Sequence, residues 1–323
     1  MKNVFVTGAT GFIGSNLVRK LLKLRYKVTI FVPKNSNHPF LKNLKIKRIE
    51  GDIRDYDALS KAIKGCDYAF HLAAIINPEK KELFDVNVNG TENVMKVCLN
   101  SGIKKVVHVS STSVLGFSMS KKKKISEKDE LREEGYIYAK SKKMAEEIVL
   151  KYADKGLNAT IVNPSSVIGA GEINLIVLKL VRSINENKIN FAFSGGTCLV
   201  AVEDAVDGLI LALKKGKKGE RYIIAGEYIS FIDECNLMAK ILNKPRIKLE
   251  LPRVFYYPLY LLALAMQRFL EKPPITTSGM KHAYSFRNFD TSKARRELGW
   301  KPKIKIKDAM QQTIIYYKSQ GLI

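Results

Sequence analysis

Short apolar runs alternate with longer amphipathic segments through the first half of the chain. The apolar runs predict strands over residues 2–7, 27–32, 46–50, 68–72, 106–110 and 158–163. Between them, apolar residues at helical spacing predict helices near residues 12–24, 55–64, 79–101 and 135–155. This β–α alternation predicts an α/β fold with a doubly wound parallel sheet, in which ligands bind at the carboxyl ends of the strands.

The pattern changes after about residue 165. Predicted helices at residues 172–186, 203–215, 230–242 and 307–319 mix with short strands, and prolines become frequent from residue 245 onwards. We therefore predict one domain over residues 1–165 and a smaller, interleaved α/β part over residues 166–323 that binds the substrate. Part of residues 200–225 is expected to return to the first domain.

A glycine-rich turn, Gly8-Ala9-Thr10-Gly11-Phe12-Ile13-Gly14, separates the first predicted strand from the first helix. In such a turn Gly8 permits the tight bend, Gly11 lets a pyrophosphate approach the backbone, and Gly14 lets the helix pack closely on the strand. The helix N-terminus offers N–H groups and a positive dipole end to the phosphates. The turn therefore predicts a Rossmann-type dinucleotide site, with contacts from Gly8, Thr10, Gly11, Phe12, Ile13 and Gly14.

Residues at the ends of three later strands are predicted to complete this dinucleotide site. NAD-specific proteins of this fold carry an acidic residue about 20 positions past the glycines, where it bonds the ribose 2′-hydroxyl. Here the second strand ends in Lys34 instead, which favours a 2′-phosphate and hence NADP over NAD. Asp52 and Ile53 are expected at the adenine edge. The small or apolar residues Leu72, Ala73 and Ala74 leave room for the middle of the cofactor.

A second motif supplies groups for proton transfer. Tyr138 and Lys142 lie four residues apart and hence on one helix face. A neighbouring ammonium, helped by an oxidised nicotinamide, lowers the tyrosine pKa toward the working range, and it can also hold the nicotinamide ribose hydroxyls. A hydroxyl from the serine-rich end of the fifth strand, residues 110–113, would polarise the substrate oxygen.

Tyr136 and Lys140 satisfy the same spacing. The Ser141-Lys142 dipeptide and the following Ala145-Glu146 favour Tyr138 and Lys142 as the functional pair. In this interpretation Tyr136 is a structural aromatic residue or a contact on the substrate side.

With these residues the chain resembles the extended short-chain dehydrogenase/reductases (the NAD-dependent epimerase/dehydratase family) over essentially its whole length. The further matching motifs are Gly51-Asp52, His71-Leu72-Ala73-Ala74, Asn87-Val88-Asn89-Gly90-Thr91, Tyr138-x-x-Ser141-Lys142-x-x-Ala145-Glu146, Asn163-Pro164-Ser165-Ser166 and Asp290-x-Ser292-Lys293-Ala294-x-x-Glu297-Leu298-Gly299-Trp300. Within the family, the Asn-Pro-Ser-Ser run and the C-terminal tail look most like the dihydroflavonol-reductase-like branch. The tail also resembles the hopanoid-associated sugar epimerases.

The resemblance implies roles for individual residues. Ser111 matches the catalytic serine or threonine, with Thr112 and Ser113 as alternatives, beside Tyr138 as acid–base and Lys142 as its electrostatic partner. The resemblance adds Asn89, Pro164 and Ser166 to the cofactor contacts, the last two near the nicotinamide carboxamide.

The family also implies the reaction class: NAD(P)-dependent hydride transfer at a secondary alcohol or ketone by a reductase or dehydrogenase. A nucleotide-sugar epimerase or dehydratase, such as a UDP-sugar 4-epimerase, is the alternative. Asn163 stands where many of these carry arginine, and no Arg-Arg-Asp-type clamp follows residue 250. A non-catalytic NADP-binding sensor is a further alternative, disfavoured by the intact Tyr138 and Lys142. Family members also imply a homodimer through the helices near 79–101 and 135–155.

Composition and charge exclude other classes. The net charge is +24 at pH 7, yet the lysines are dispersed and no nucleic-acid-binding motif accompanies them, so we predict no nucleic-acid partner. The four cysteines and four histidines show no metal spacing, which predicts reduced thiols and no metal site. The first strand begins at once without a basic and apolar leader, so we expect a cytoplasmic protein.

Two local features bear on the substrate. Lys121–Lys124 falls between the catalytic serine and tyrosine, and we interpret it as a solvated loop rather than as a steering site for an anionic substrate. The apolar stretch 254–266 is broken by Pro258 and is too short to cross a bilayer, so we predict no transmembrane segment. We favour a buried helix roofing the pocket; the alternative is an interfacial helix in weak contact with a membrane surface.

Overall fold

Seven parallel strands form the main sheet, in the order β10-β6-β5-β4-β1-β2-β3. The computed structural model describes residues 2–131, 136–172, 175–270 and 273–323. The strands are β1 Asn3–Thr7, β2 Lys27–Val32, β3 Lys47–Glu50, β4 Tyr68–His71, β5 Lys105–Val109, β6 Ala159–Pro164 and β10 Arg221–Ile224. The strand order reverses between β1 and β4, which is where such sheets bind their ligands.

Helices cover both faces of this sheet. They are α1 Phe12–Lys23, α2 Tyr56–Ala62, α3 Gly90–Asn100, α4 Ile137–Asp154 and α6 Val202–Lys215. Residues of α1 and α6 pack on one face, and residues of α2, α3 and α4 pack on the other. Because each strand presents alternate residues to opposite faces, two hydrophobic layers enclose the sheet. The predicted doubly wound α/β fold is confirmed.

The chain from residue 166 onwards forms a second, smaller part. Its elements are β7 Ser166–Ile168, α5 Leu175–Asn185, β8 Phe191–Phe193, β9 Gly196–Ala201, β11 Tyr228–Ser230, α7 Phe231–Ile241, β12 Leu249–Leu251, α8 Tyr256–Phe269, α9 Thr277–Ala283, β13 Phe286–Arg287 and α10 Ile306–Ser319. Strand β9 pairs with β7, β11 and β13, and β8 pairs with β12. The chain crosses back between these elements to add α6 and β10 to the main sheet.

The helix predicted over residues 79–101 begins later than expected. A π-helical turn, Asp85–Asn89, leads directly into α3. Asn87 fixes the Ile75 backbone in the loop before this turn, because its side chain accepts a hydrogen bond from the Ile75 amide (2.7 Å) and donates one to the Ile75 carbonyl oxygen (2.9 Å). The π-turn thus fixes the loop that follows β4, and such turns are frequent at functional sites.

Helix α8 corresponds to the apolar stretch that we predicted to be a buried roof. Only Ala263 is buried among its residues, while most of its large apolar side chains are exposed. The favoured interpretation as a buried helix is therefore wrong, because the second part of the chain covers only one side of α8. No helix in the described ranges is long and apolar enough to cross a membrane.

Candidate active site

A cleft of about 310 Å³ opens at the carboxyl ends of β1, β4, β5 and β6. Its lining includes Gly8, Gly11, Phe12, Ile13, Gly14, Leu72, Ala74, Ser111, Tyr138, Lys142, Pro164 and Ser166, together with Ile76, Val109, Ser110, Ser165 and Val167. Larger cavities of about 670 and 840 Å³ lie elsewhere, and neither touches the glycine-rich turn or Tyr138. The cleft thus brings together residues that are more than 150 positions apart in sequence.

The glycine-rich turn is shaped by two close backbone approaches. Gly8 has φ of +70°, and a Cβ there would lie 2.5 Å from the Ala73 amide nitrogen. A Cβ on Gly14 would lie 2.1 Å from the Gly8 carbonyl oxygen. At Gly11, in contrast, a Cβ would meet only the Gly8 carbonyl oxygen, at 3.3 Å. The first and third glycines are therefore required for folding, while the second keeps the cleft side of the turn clear.

The N-terminus of α1 is suited to a diphosphate. Gly11 is its N-cap residue, no side chain caps it, and its first turn carries no acidic residue. The free N–H groups and the helix dipole therefore remain available to an anion in the cleft. On this evidence the residues present fit the pyrophosphate of a dinucleotide.

Ser111, Tyr138 and Lys142 converge on the cleft from two elements. Ser111 is the N-cap of a 3₁₀ turn, Thr112–Leu115, and its hydroxyl accepts a hydrogen bond from the Ser113 amide. Tyr138 lies in the first turn of α4, and its side chain is hydrogen-bonded to that of Ser111. Lys142 lies one turn further on, is only 2% exposed, and donates a hydrogen bond of 2.8 Å to the Val109 carbonyl oxygen.

Burial changes the acidity of both α4 groups. It raises the pKa of Tyr138 to about 12, although the hydrogen bond with Ser111 acts in the opposite direction. It lowers the pKa of Lys142 to about 8, opposed by the negative charge of Glu146. Both shifts follow from removing charge from water. The chain's own residues thus favour neutral Tyr138, whereas the sequence predicted a lowered tyrosine pKa.

The competing pair, Tyr136 and Lys140, lies in different surroundings. Lys140 is exposed, whereas Lys142 is buried in the cleft wall. The Tyr136 hydroxyl donates a hydrogen bond to the Ser278 carbonyl oxygen (3.1 Å), and its ring lies 5.9 Å from that of Phe117. Tyr136 therefore faces the second part of the chain.

The remaining predicted cofactor residues lie outside the cleft wall. The Thr10 and Ser36 hydroxyls are 2.6 Å apart beside exposed Lys34. Asp52 forms an ion pair with Arg54 (2.6 Å). The Asn89 side-chain amide donates a hydrogen bond to the Asp85 carboxylate. Ile53 is buried and packs against Gly90, and the Ala73 backbone lies close to Gly8.

A buried chain of hydrogen bonds supports the floor of the site. The Thr7 hydroxyl lies 2.7 Å from His71 Nδ1, and His71 Nε2 lies 2.9 Å from the Thr91 hydroxyl. Because Thr91 donates its own proton to the Asn87 carbonyl oxygen, His71 Nε2 is the donor and Nδ1 the acceptor. Burial lowers the pKa of His71 to about 3, so it is a neutral structural residue.

The sequence analysis did not predict the buried polar cluster that Asn163, Glu146 and Arg221 form. The Asn163 side-chain amide donates to the Ser111 carbonyl oxygen (3.0 Å) and to the Glu146 carboxylate (2.6 Å). Glu146 also pairs with Arg221, with 2.8 Å between the charged atoms. The i, i+4 spacing of Lys142 and Glu146 could have indicated that they share a helix face. Arg221, the partner of Glu146 on β10, is too far away in the sequence to be found from helical spacing.

Comparison with known proteins places this chain in a family. The model of the NAD dependent epimerase/dehydratase family matches residues 4–225. Sterol demethylase protein B of Methylococcus capsulatus is 30% identical over 325 residues, covering 98% of this chain and 99% of the relative. A putative dihydroflavonol 4-reductase of Synechocystis is 32% identical over 337 residues, covering 99% and 95%. The crystal structure of the protein gox2253 superposes with a TM-score of 0.89 at 30% identity, over 100% of both chains.

These matches identify the class of protein. The chain belongs to the NAD dependent epimerase/dehydratase family, as the sequence motifs predicted, and is an enzyme of the extended short-chain dehydrogenase/reductase type.

Proposed function

We propose that this chain is a reductase or dehydrogenase that transfers hydride between NAD(P) and a secondary alcohol or ketone. The observation that carries the proposal is the convergence of Ser111, Tyr138 and Lys142 on the cleft that the glycine-rich turn borders. Hydroxyl, phenol and ammonium groups at one cleft wall are the set that proton transfer to a carbonyl oxygen requires.

The residues have separate roles in this proposal. In alcohol oxidation, Tyr138 in its tyrosinate form would take the hydroxyl proton, and a bound dinucleotide would supply the acceptor for the hydride that leaves the same carbon. Ser111 donates a hydrogen bond to the substrate oxygen as its bond order changes. Burial raises the pKa of Tyr138, so the tyrosinate needs a nearby positive charge. The ammonium of Lys142, one turn further along α4, is the group proposed to supply it. Ketone reduction uses the same groups in reverse.

We propose NADP as the preferred cofactor. The loop after β2 carries exposed Lys34, and the Arg48 guanidinium donates a hydrogen bond to the Ser36 carbonyl oxygen (2.6 Å) at the same loop. Two cations beside the Thr10–Ser36 hydroxyl pair fit the chemistry of a 2′-phosphate. NAD is the alternative.

The proposed substrate is a hydrophobic secondary alcohol of the sterol class. Ile76 and Val167, which are not among the predicted cofactor contacts, add apolar surface to the cleft, and Ile76 is half exposed at its edge. A relative that aligns over 98% of this chain is named for sterol demethylation. Both observations support a large apolar substrate.

A nucleotide-sugar epimerase or dehydratase is the alternative activity. Asn163, which stands where many such enzymes carry arginine, is fully buried and bonded to Glu146 and Ser111. It therefore offers no charge to a nucleotide diphosphate. This arrangement supports the reductase or dehydrogenase over the epimerase.

The cytoplasmic location and the homodimer stay predictions. Ile137 and Met144 are exposed apolar residues on α4, one of the two helices expected at the dimer interface. Their exposure supports an interface there, and sedimentation equilibrium of the purified chain tests it.

A paired substrate screen tests the function. The enzyme is incubated with oxidised NADP or NAD and either sterol-type alcohols or UDP- or dTDP-sugars, and with the reduced cofactors and small ketones. We expect net NADP reduction with an apolar alcohol. Inversion of a sugar without net change in the cofactor would establish the epimerase instead, and dinucleotide binding without turnover of any class would favour a sensor.

A further inference from the structure

The outward face of α8 is apolar, which is the reverse of an ordinary surface helix. Tyr257, Leu261, Leu262, Leu264 and Phe269 lie within one arc of the helix, and Phe269 is 80% exposed. Val254 and Phe255, just before the helix, are also exposed. A helix on a water-facing surface normally carries polar residues on this side. Such a patch marks an interaction site.

The opposite face of α8 attaches it to the protein. Tyr256, Leu259, Tyr260, Ala263 and Met266 are buried or half-buried. The Tyr256 ring lies 5.7 Å from the ring of Tyr284, which follows α9. The helix is thus held along one side, and its apolar arc faces away from the fold.

Positive charges surround the apolar arc. Arg253 and Arg268 are exposed at the two ends of the helix. The Arg253 guanidinium is hydrogen-bonded to the Met119 carbonyl oxygen, which brings the exposed run Lys121–Lys124 to the N-terminal end of α8. Residues 251–270 contain no aspartate or glutamate.

We propose that α8 is an interfacial helix that docks this enzyme on an anionic lipid bilayer. An apolar face bordered by lysine and arginine binds such a surface by burying side chains among the acyl chains and attracting acidic headgroups. The 14-residue helix is about 21 Å long, so it lies along the surface rather than crossing it. A second copy fits less well, because pairing two such faces would bring their cations together.

The docking face lies beside the substrate side of the active site. Helix α9, which packs against α8, provides the Ser278 carbonyl oxygen that accepts a hydrogen bond from Tyr136. Tyr136 precedes Tyr138 by two residues. Delivery of a lipid alcohol from the bilayer to the active site rests on the proposed function, whereas the docking of α8 on the bilayer does not.

The test is co-sedimentation of the full chain with vesicles. Phosphatidylcholine vesicles are compared with vesicles in which part of this lipid is replaced by phosphatidylglycerol. We expect binding to the anionic vesicles, weakened by added salt. Replacing Leu261 and Leu264 with serine should weaken binding by roughly tenfold for each leucine. Replacing Arg253 and Arg268 with glutamine should weaken it by several-fold.

Matched controls lie on another helix. Ile315→Ser removes an exposed apolar residue from α10, and Lys318→Gln removes an exposed charge from the same helix. Both should bind vesicles as the unmodified chain does. Dinucleotide binding, measured in every variant, reports folding and separates failure of docking from failure of the proposed function.

Two results would overturn the proposal. The first is the absence of vesicle binding by the unmodified chain at low salt. The second is vesicle binding that Leu261→Ser with Leu264→Ser leaves unchanged. If the double variant instead dissociates an oligomer seen by sedimentation, and vesicles bind neither form, the face is an interface between copies of this chain.

Discussion

The Asn163 side-chain amide donates a hydrogen bond of 2.6 Å to the buried carboxylate of Glu146, and the same amide holds the Ser111 backbone at 3.0 Å. The carboxylate also raises the pKa of Lys142, which burial otherwise lowers. One buried carboxylate thus links the position of the proposed hydroxyl donor to the charge of the proposed lysine. Neither residue lines the cleft, so we propose that Asn163 and Glu146 act as positioning residues.

Replacing Glu146 with glutamine should shift the pH profile of activity. Glutamine retains an acceptor for Asn163 but removes the charge that favours protonated Lys142. The pKa of Lys142, about 8 in the unmodified protein, should then fall. The alkaline limb of the rate profile should move to lower pH by about one unit. Glu147→Gln, at the exposed neighbouring position, is the control. An unmoved limb would mean that Glu146 has only a structural role.

Tyr138→Phe should remove hydride transfer and spare dinucleotide binding. We expect a loss of roughly 10²–10⁴-fold in kcat, because the proton acceptor is gone while the cleft wall is retained. Steady-state kinetics and a cofactor-binding titration measure the two effects separately. Tyr136→Phe is the matched control, since its hydroxyl bonds to the Ser278 carbonyl oxygen. If Tyr136→Phe were the inactive variant, the other Tyr-x-x-x-Lys pair would be functional.

Lys34→Asp should change the cofactor preference from NADP toward NAD. An aspartate at the end of β2 repels a 2′-phosphate and accepts from a ribose hydroxyl. We expect KM for NADP to rise by about tenfold or more, with a smaller change or a decrease for NAD. Lys42→Asp places the same charge change at another exposed lysine and should alter neither value selectively. Equal effects of both variants would argue against a 2′-phosphate site at Lys34.

Alanine substitutions at the second and third glycines of the turn, Gly11 and Gly14, should affect stability and dinucleotide binding differently. Gly11→Ala adds a Cβ that meets only one backbone oxygen, at 3.3 Å, so the protein should fold while dinucleotide binding weakens. Gly14→Ala places a Cβ 2.1 Å from the Gly8 carbonyl oxygen, so it should lower the free energy of unfolding by about 3 kcal/mol. Thermal unfolding and cofactor titration distinguish them. Similar unfolding of both variants would contradict the assigned roles.

The buried Glu234 predicts a pH-dependent stability. Burial raises its pKa to about 7, against an ordinary value of 4.5. Between these values the folded state retains a proton that the unfolded state has lost, so stability falls as the pH rises through this range. At about 1.4 kcal/mol for each pH unit, the loss approaches about 3 kcal/mol.

Glu234→Gln removes this titration. The variant should therefore gain stability over the unmodified protein at pH 8 and differ little from it at pH 5, as measured by denaturant unfolding. Glu227→Gln, which changes a carboxyl whose side chain is not buried, should show no such divergence with pH. A variant gain that is equal at both pH values would mean that the Glu234 pKa is ordinary.

Much of the fold could be read from local patterns. Strand and helix periodicity, together with the glycine-rich turn, predicted the parallel sheet and the end of it that binds a dinucleotide. The predicted helix at 79–101 failed at its start, where the chain forms turns and then the π-helical turn Asp85–Asn89 before α3 begins at Gly90. The periodicity of apolar residues does not show where an α-helix begins or whether a π-turn precedes it.

The sequence by itself determined the cofactor class and the residue types of the proposed chemistry, because Gly-x-x-Gly-x-x-Gly and Tyr-x-x-x-Lys act through spacings of a few residues. Only the tertiary structure decided what surrounds those residues. It paired Glu146 with Arg221, buried Lys142 against the Val109 carbonyl oxygen, and left the apolar arc of α8 facing outward. These pairings and exposures depend on which segments, distant in sequence, pack against a side chain and exclude water from it. Such burial, and the pKa shifts that it causes, arise only when the whole chain has folded.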